Sequence, residues 1–155
     1  MTTISVIVPT LNRNKEILHF IRTLKNQTMS VHELIVVDAG EGSDLKEQLI
    51  KALDGSNINL QYVTSEAGTS LQRNVAIDIC KGDILFFFDD DILLEPDYVE
   101  QTMKCFELQH SPRVGGVLGT FTSSYKTSKA KEIYSKIFRI THSIEGDEAK
   151  LMATG

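Results

Sequence analysis

Two cysteines, Cys80 and Cys105, are all that the 155-residue sequence holds, and neither stands in a CxxC pair or beside a histidine cluster. That excludes a disulfide-built scaffold and a zinc site of ordinary spacing, and leaves both as reduced core residues inside apolar-periodic segments. Positive charge is also scarce, with 16 Lys and Arg against 21 Asp and Glu and a formal net charge of −5. A nucleic-acid partner calls for a basic face along the phosphates, so none is expected. A small anionic ligand stays admissible, because a helix N-terminus, a few local cations or a metal act over a few ångströms whatever the net charge. Long apolar runs are missing too. The longest, residues 84–88, has the length of a strand and falls far short of the roughly 18 residues that cross a bilayer. The opening Met1-Thr2-Thr3-Ile4 lacks the basic and apolar regions of a secretory signal, which makes the cytoplasm the expected compartment.

What is present has an ordinary globular balance, 41% hydrophobic and 24% charged, and predicts a single domain over residues 1–155. A β-branched run at 4–9 reads as a buried strand that Pro9 ends by withholding an N–H. Ile17, Leu18, Phe20, Ile21 and Leu24 then recur at helical spacing across 15–27. A near-continuous apolar strand follows at 33–38, of the kind found in parallel sheets covered on both faces. Ser43 is placed to cap a helix to about residue 53, with Leu45, Leu49 and Leu53 inward. Residues 60–63 form a third strand, 70–80 a third helix with Leu71, Val75 and Ile79 inward, and 83–88 a fourth strand. Pro96 suits the first turn of a helix to about 109, residues 114–121 a fifth strand, and 128–140 a last amphipathic helix. The apolar face and flanking cations of that last helix suit either core packing or peripheral contact with an anionic membrane surface. The βαβαβαβ order predicts a mostly parallel α/β sheet with helices on both faces and a ligand crevice at the carboxyl ends of its strands. No GxGxxG or other glycine-rich loop joins the first strand to the first helix, which disfavours a dinucleotide-dependent oxidoreductase and a nucleotidyltransferase.

Asp89, Asp90 and Asp91 follow directly on the apolar fourth strand, where that crevice should lie. If strand geometry persists, Asp89 and Asp91 share one face and Asp90 turns away. Two converging carboxylates suit Mg2+ or Mn2+, which take such oxygens together with substrate phosphate oxygens. The plainer alternative is an acidic turn and helix cap. Asp38, at the end of the second strand, can accept from a base N–H or a ribose hydroxyl, or can simply form the turn before Ala39-Gly40. Arg73 can present its guanidinium to a diphosphate or to solvent. Arg13 and Lys15 are within reach of phosphate but serve equally as loop and helix-start residues.

Ser5-Val-Ile-Val-Pro-Thr-Leu-Asn-Arg13, Leu34-Ile-Val-Val-Asp38, Gln72-Arg-Asn74 and Gly82-Asp-Ile-Leu-Phe-Phe-Phe-Asp-Asp-Asp91 together resemble glycosyltransferase family 2 in order and spacing, over residues 4–107. The resemblance implies a Rossmann-like GT-A fold, a nucleotide-diphosphate sugar as donor with UDP the common choice, a divalent Mn2+ or Mg2+ ion, and transfer with inversion to a glycan, lipid-linked or other hydroxyl acceptor. It assigns Pro9, Thr10, Asp38, Arg73, Asp89 and Asp90 to the donor and Asp91, with Asp89, to the metal. Asp-Ala-Gly stands here where the family more often has Asp-Asp-Gly or Asp-Asn-Gly. The family's catalytic base lies well downstream of the acidic triplet. Glu145, Asp147 and Glu148 are the only late carboxylates and none matches it, so the chain is expected to be incomplete at its C-terminus. On that reading residues 114–155 begin an acceptor-side region, and the whole is a donor- and metal-binding half lying in the cytoplasm or at the inner face of the membrane. The alternative is a non-catalytic nucleotide-sugar-binding module or inactive fragment.

Overall fold

The computed structural model describes residues 2–41, 44–107 and 115–119. Its elements run β1 (Ile4–Thr10), α1 (Asn14–Lys25), β2 (Glu33–Asp38), α2 (Leu45–Leu53), β3 (Asn59–Thr64), α3 (Thr69–Ile79), β4 (Ile84–Phe87) and α4 (Tyr98–Glu107). Residues Met1–Gln101 form one compact unit, which contains all four strands and the site described below.

The strands form one parallel sheet in the order β3-β2-β1-β4. β1 and β2 are buried along their whole length, as suits largely apolar runs in a sheet covered on both faces. Alternate side chains serve opposite faces. Ile7, Ile35 and Val37 meet Ala76 of α3, with Val75, Ile79 and Leu85 packed around them. Phe20 of α1 stacks against Phe88, whose ring also touches Phe86 and Tyr98, with centroids 5.6–5.7 Å apart. The chain moves from β1 outward to β2 and β3, then returns past both to place β4 on the other side of β1. The order in which the chain crosses the sheet therefore reverses between β1 and β4, which run parallel, and the crevice of a doubly wound sheet belongs at the carboxyl ends of these two strands.

β1 runs one residue beyond Pro9, contrary to the sequence expectation, and parity explains why. The Ile7 carbonyl accepts from Phe88 N–H, so residues of its parity face β4. Pro9 shares that parity, and β4 has already ended at Phe87. Its missing N–H removes no ladder bond.

At the other end of the sheet the Glu33 carboxylate gathers all four strands. It accepts from Ser5 Oγ of β1, from Gln61 Nε2 of β3 at 2.8 Å, and from Lys81 N–H at the approach to β4 at 2.6 Å. Burial alone would raise its pKa, but these bonds, with a further one from the Gly82 backbone, outweigh it and hold the group below its ordinary value. Gly82 is required there: a Cβ would stand 2.6 Å from Ser5 N and overlap Ser5 Oγ.

Three further expectations shift. α3 buries Gln72 and Ala76 most deeply, with Val75 and Ile79 partly buried against the core as expected, whereas Leu71 is 45% exposed and leaves the inward face. α2 starts after Asp44, which makes no side-chain cap bond, and Ser43 lies outside the described residues. Residues 115–119, inside the expected fifth strand, pair with no strand among the described residues, and Leu118 is 94% exposed. The expected helix at 128–140 and the late carboxylates Glu145, Asp147 and Glu148 lie outside the described residues. Cys80 and Cys105 are free, as expected, but only partly buried. Among the described residues no helix is long and apolar enough to cross a membrane.

Candidate active site

A crevice of about 560 Å³ opens where the topology places it. Six of the seven residues singled out in the sequence line it: Pro9, Thr10, Arg73, Asp89, Asp90 and Asp91. β1 delivers the first two as its last residues, α3 delivers Arg73 in its second turn, and the triplet follows β4.

The three carboxylates are held differently. Asp90 turns inward and is only 5% exposed. It accepts from Thr10 Oγ1 at 2.7 Å and from Arg13 Nη1 at 3.0 Å. Asp91 is exposed and accepts from the same Arg13 nitrogen at 2.9 Å, while the exposed Asp89 accepts from Arg73 Nη2 at 2.9 Å. Two guanidinium groups thus relieve the repulsion among three adjacent acids. Strand geometry does not persist beyond Phe87, so the expected pairing of faces changes: Asp90 and Asp91 converge on one Arg13 nitrogen, and Asp89 turns to Arg73. The hydrogen bond from Arg13 to Asp90, followed by that to Asp91, raises the arginine above its ordinary pKa and so secures its charge.

The loop that carries Arg13 is shaped by Asn12, whose φ of 54° lies in the left-handed region. Asparagine enters that region more readily than other side chains, and the turn sends the chain from the end of β1 into α1 with Arg13 beside the triplet. Opposite, Gly68 has a φ of 153° that a Cβ would disfavour, and it leads directly into α3. Gln72 locks this wall to the sheet. Its buried Nε2 donates to Thr10 O at 2.9 Å and to Val37 O at 2.7 Å, joining the carboxyl ends of β1 and β2. Arg73 Nε is buried without a partner among the described residues. An unpaired donor of this kind is costly in a closed core and well used beside an anionic ligand.

Asp38 is the register partner of Thr10 on β2, but unlike the other six its side chain does not face the crevice. It is 1% exposed, does not line the crevice, and accepts from Gly40 N–H at 2.7 Å and Tyr62 Oη at 2.6 Å. The turn-forming geometry is therefore present, together with a tyrosine contact that nothing in the local sequence signals. Sequence reasoning left Arg13 between a phosphate contact and a loop residue, and gave Gln72 no role of its own. Both depend on partners 35 to 78 positions away. Among the described residues, no three His, Cys, Asp or Glu side chains are gathered into a ready-made metal cage.

Fold and site define the class first: a parallel α/β domain with a polar, charge-rich crevice at the switch point of its sheet, suited to a ligand with phosphate and hydroxyl groups. Within that class the sequence matches the family described as glycosyl transferase family 2 over residues 5–154, and the chain belongs to this family. It is 26% identical over 147 residues to an uncharacterized glycosyltransferase of Haemophilus influenzae, covering 94% of this chain and 45% of that protein. It is 29% identical over 134 residues to the poly(ribitol-phosphate) beta-N-acetylglucosaminyltransferase TarP of Staphylococcus aureus, covering 84% and 41%. The chain thus spans less than half the length of these curated relatives. The fold is GT-A-like and matches that of residues 1–349 of S. aureus TarS, with a TM-score of 0.62, 23% identity, and coverage of 81% of this chain and 40% of that one. The structure of TarS 1–349 in complex with UDP-GlcNAc is similar at a TM-score of 0.59 and 25% identity, over 78% of this chain and 37% of that one.

Proposed function

We propose that the chain is the donor-binding part of an inverting glycosyltransferase. It takes a nucleotide-diphosphate sugar, with UDP as the nucleotide, and the sugar passes to a hydroxyl of a glycan or lipid-linked acceptor. The observation that carries this reading is the acidic triplet between Arg13 and Arg73 at the crevice of the sheet. Family membership and the likeness to TarS, solved with UDP and with UDP-GlcNAc, support it. Residues 4–107 then hold the donor and residues 114–155 begin the acceptor side. The free cysteines fit a reducing compartment, the cytoplasm.

The donor set fits a divalent cation of the Mg2+ or Mn2+ kind. Such ions accept one or two carboxylates and complete their shell with water and substrate phosphate oxygens, so no preformed cage is needed. Asp91 and Asp89, exposed and each tied to an arginine through a single oxygen, are the residues that would hold it. The bound ion would supply charge neutralisation for a departing nucleoside diphosphate. The chain's own groups do the rest of the work on the donor. Arg73 offers a charged fork to the diphosphate, and its pair with Asp89 keeps that fork over the crevice. Thr10 and Pro9 form the wall against the ribose and base. Asp90, fixed by Thr10, sets the position of its neighbours on either side. For Asp38 we propose base recognition, which requires its carboxylate to be reached from the ligand side of the Tyr62 contact.

Calorimetric titration with uridine, guanosine and thymidine diphosphates, with and without manganese and repeated on Asp91→Ala, tests the reading. Manganese-dependent binding of uridine diphosphate that is lost in the variant is expected. No binding by the folded chain would overturn the donor site.

A further inference from the structure

We propose that Arg13 is a built-in counter-cation that occupies the metal's place at Asp91 until the donor arrives, and then transfers its fork to the donor diphosphate. This rests on the donor reading above and adds to it a residue and an order of events.

One nitrogen of Arg13, Nη1, donates to both Asp90 and Asp91, at 3.0 and 2.9 Å. The two partners differ in a way that makes a switch. Asp90 is nearly buried and also held by Thr10, so it cannot follow a ligand. Asp91 has half its side chain exposed and, among the described residues, pairs with Arg13 alone, so it can change cation without disturbing the core. The guanidinium is itself 51% exposed and sits at the rim of the crevice. An exposed ion pair of this kind is weak and easily exchanged. A divalent ion carries twice the charge and would win Asp91 once phosphate oxygens complete its shell, but competes poorly alone.

Local backbone conformation agrees with a purpose for Arg13. The chain adopts a left-handed conformation at Asn12, immediately before it, although a residue with a Cβ pays a steric cost there. Arg73 on the opposite wall shows the same design at Asp89, with a second nitrogen left unpaired. Two arginines therefore hold the outer carboxylates, and both stand where a diphosphate would need cations. Released from Asp91, Arg13 remains anchored to Asp90 and keeps further N–H groups to offer.

The test uses manganese chloride alone and then manganese with uridine diphosphate, titrated calorimetrically into the whole chain and into Arg13→Gln. The inference expects opposite shifts: about fivefold tighter binding of manganese alone, because the competing cation is gone, and about tenfold weaker binding of the nucleotide in saturating manganese. Arg13→Lys keeps the charge but not the planar fork, gives the same two shifts in smaller degree, and serves if the glutamine variant does not fold. A merely structural role for Arg13 would weaken both titrations together, and that result, or an unchanged affinity for manganese alone, overturns the inference while leaving the donor site standing. Nucleotide binding that does not respond to Asp91→Ala overturns the donor reading itself, and this inference with it.

Discussion

Asp89, Asp90 and Asp91 are chemically identical neighbours whose surroundings give them different tasks. Asp90 is enclosed by donors, Thr10 Oγ1 on one oxygen and Arg13 Nη1 on the other, whereas its neighbours each meet one arginine in solvent. Replacing Asp90 by Asn turns an NH2 group towards a donor and leaves a buried hydrogen bond unmade, at a cost of about 1–3 kcal/mol. Asp89→Asn and Asp91→Asn remove only exposed ion pairs and leave stability nearly unchanged. Urea midpoints of the three variants at neutral pH should therefore single out the middle one, while nucleotide binding should suffer most in Asp91→Asn. Gln72 is a second residue whose value lies in burial. Gln72→Leu strips Thr10 O and Val37 O of a shared donor and is expected to destabilise by about 1–3 kcal/mol, read in the same denaturation experiment.

At the scale of elements, Pro9 and Gly82 predict opposite outcomes. Pro9→Ala restores an N–H that faces a position β4 has already vacated, so stability should change by less than about 1 kcal/mol. Gly82→Ala pushes a methyl against the backbone of Ser5 and should cost about 1–3 kcal/mol, as overpacking does, with a matching fall in melting temperature. These elements also show what a sequence can reveal. β2 was legible to the residue at 33–38, because a β-branched run buried on both faces has no competing period. The stripe of α3 was legible at Val75 and Ile79, which pack against the core, and misread at Leu71, because the helix buries the next residue, Gln72, whose amide satisfies two strand-end carbonyls. The candidate site was legible wherever residues sit at strand ends, as Thr10 and the triplet do. Arg13 was not, since its position depends on a single left-handed residue and on acids 77 and 78 positions away. Nor was the tyrosine on Asp38, which requires the β2–β3 register of Asp38 with Thr64 and Val36 with Tyr62.

Across the whole sheet the two ends have different electrostatic designs. The carboxyl end gathers acids and arginines at an open crevice, and the amino end encloses one carboxylate, Glu33 of β2, among donors from β1, β3 and the segment leading into β4. That enclosure links stability to pH. Glu33 is held below its ordinary value of 4.5, so on acidification the unfolded chain takes up its proton first. Stability from this group is complete above that value and is lost as the pH falls through the lower value of the folded state. Asp83, whose pKa is lowered by hydrogen bonds from the Thr3 N–H and hydroxyl, acts in the same direction at the surface. Glu33→Gln keeps the size of the side chain but turns one donor into the path of another, and should cost about 1–3 kcal/mol at neutral pH. Its further signature is a flatter acid limb: thermal midpoints of the parent should fall steeply below about pH 4.5, and those of the variant less so. Parallel acid limbs would show that the four strands are held at this end by packing, with the Glu33 charge contributing nothing.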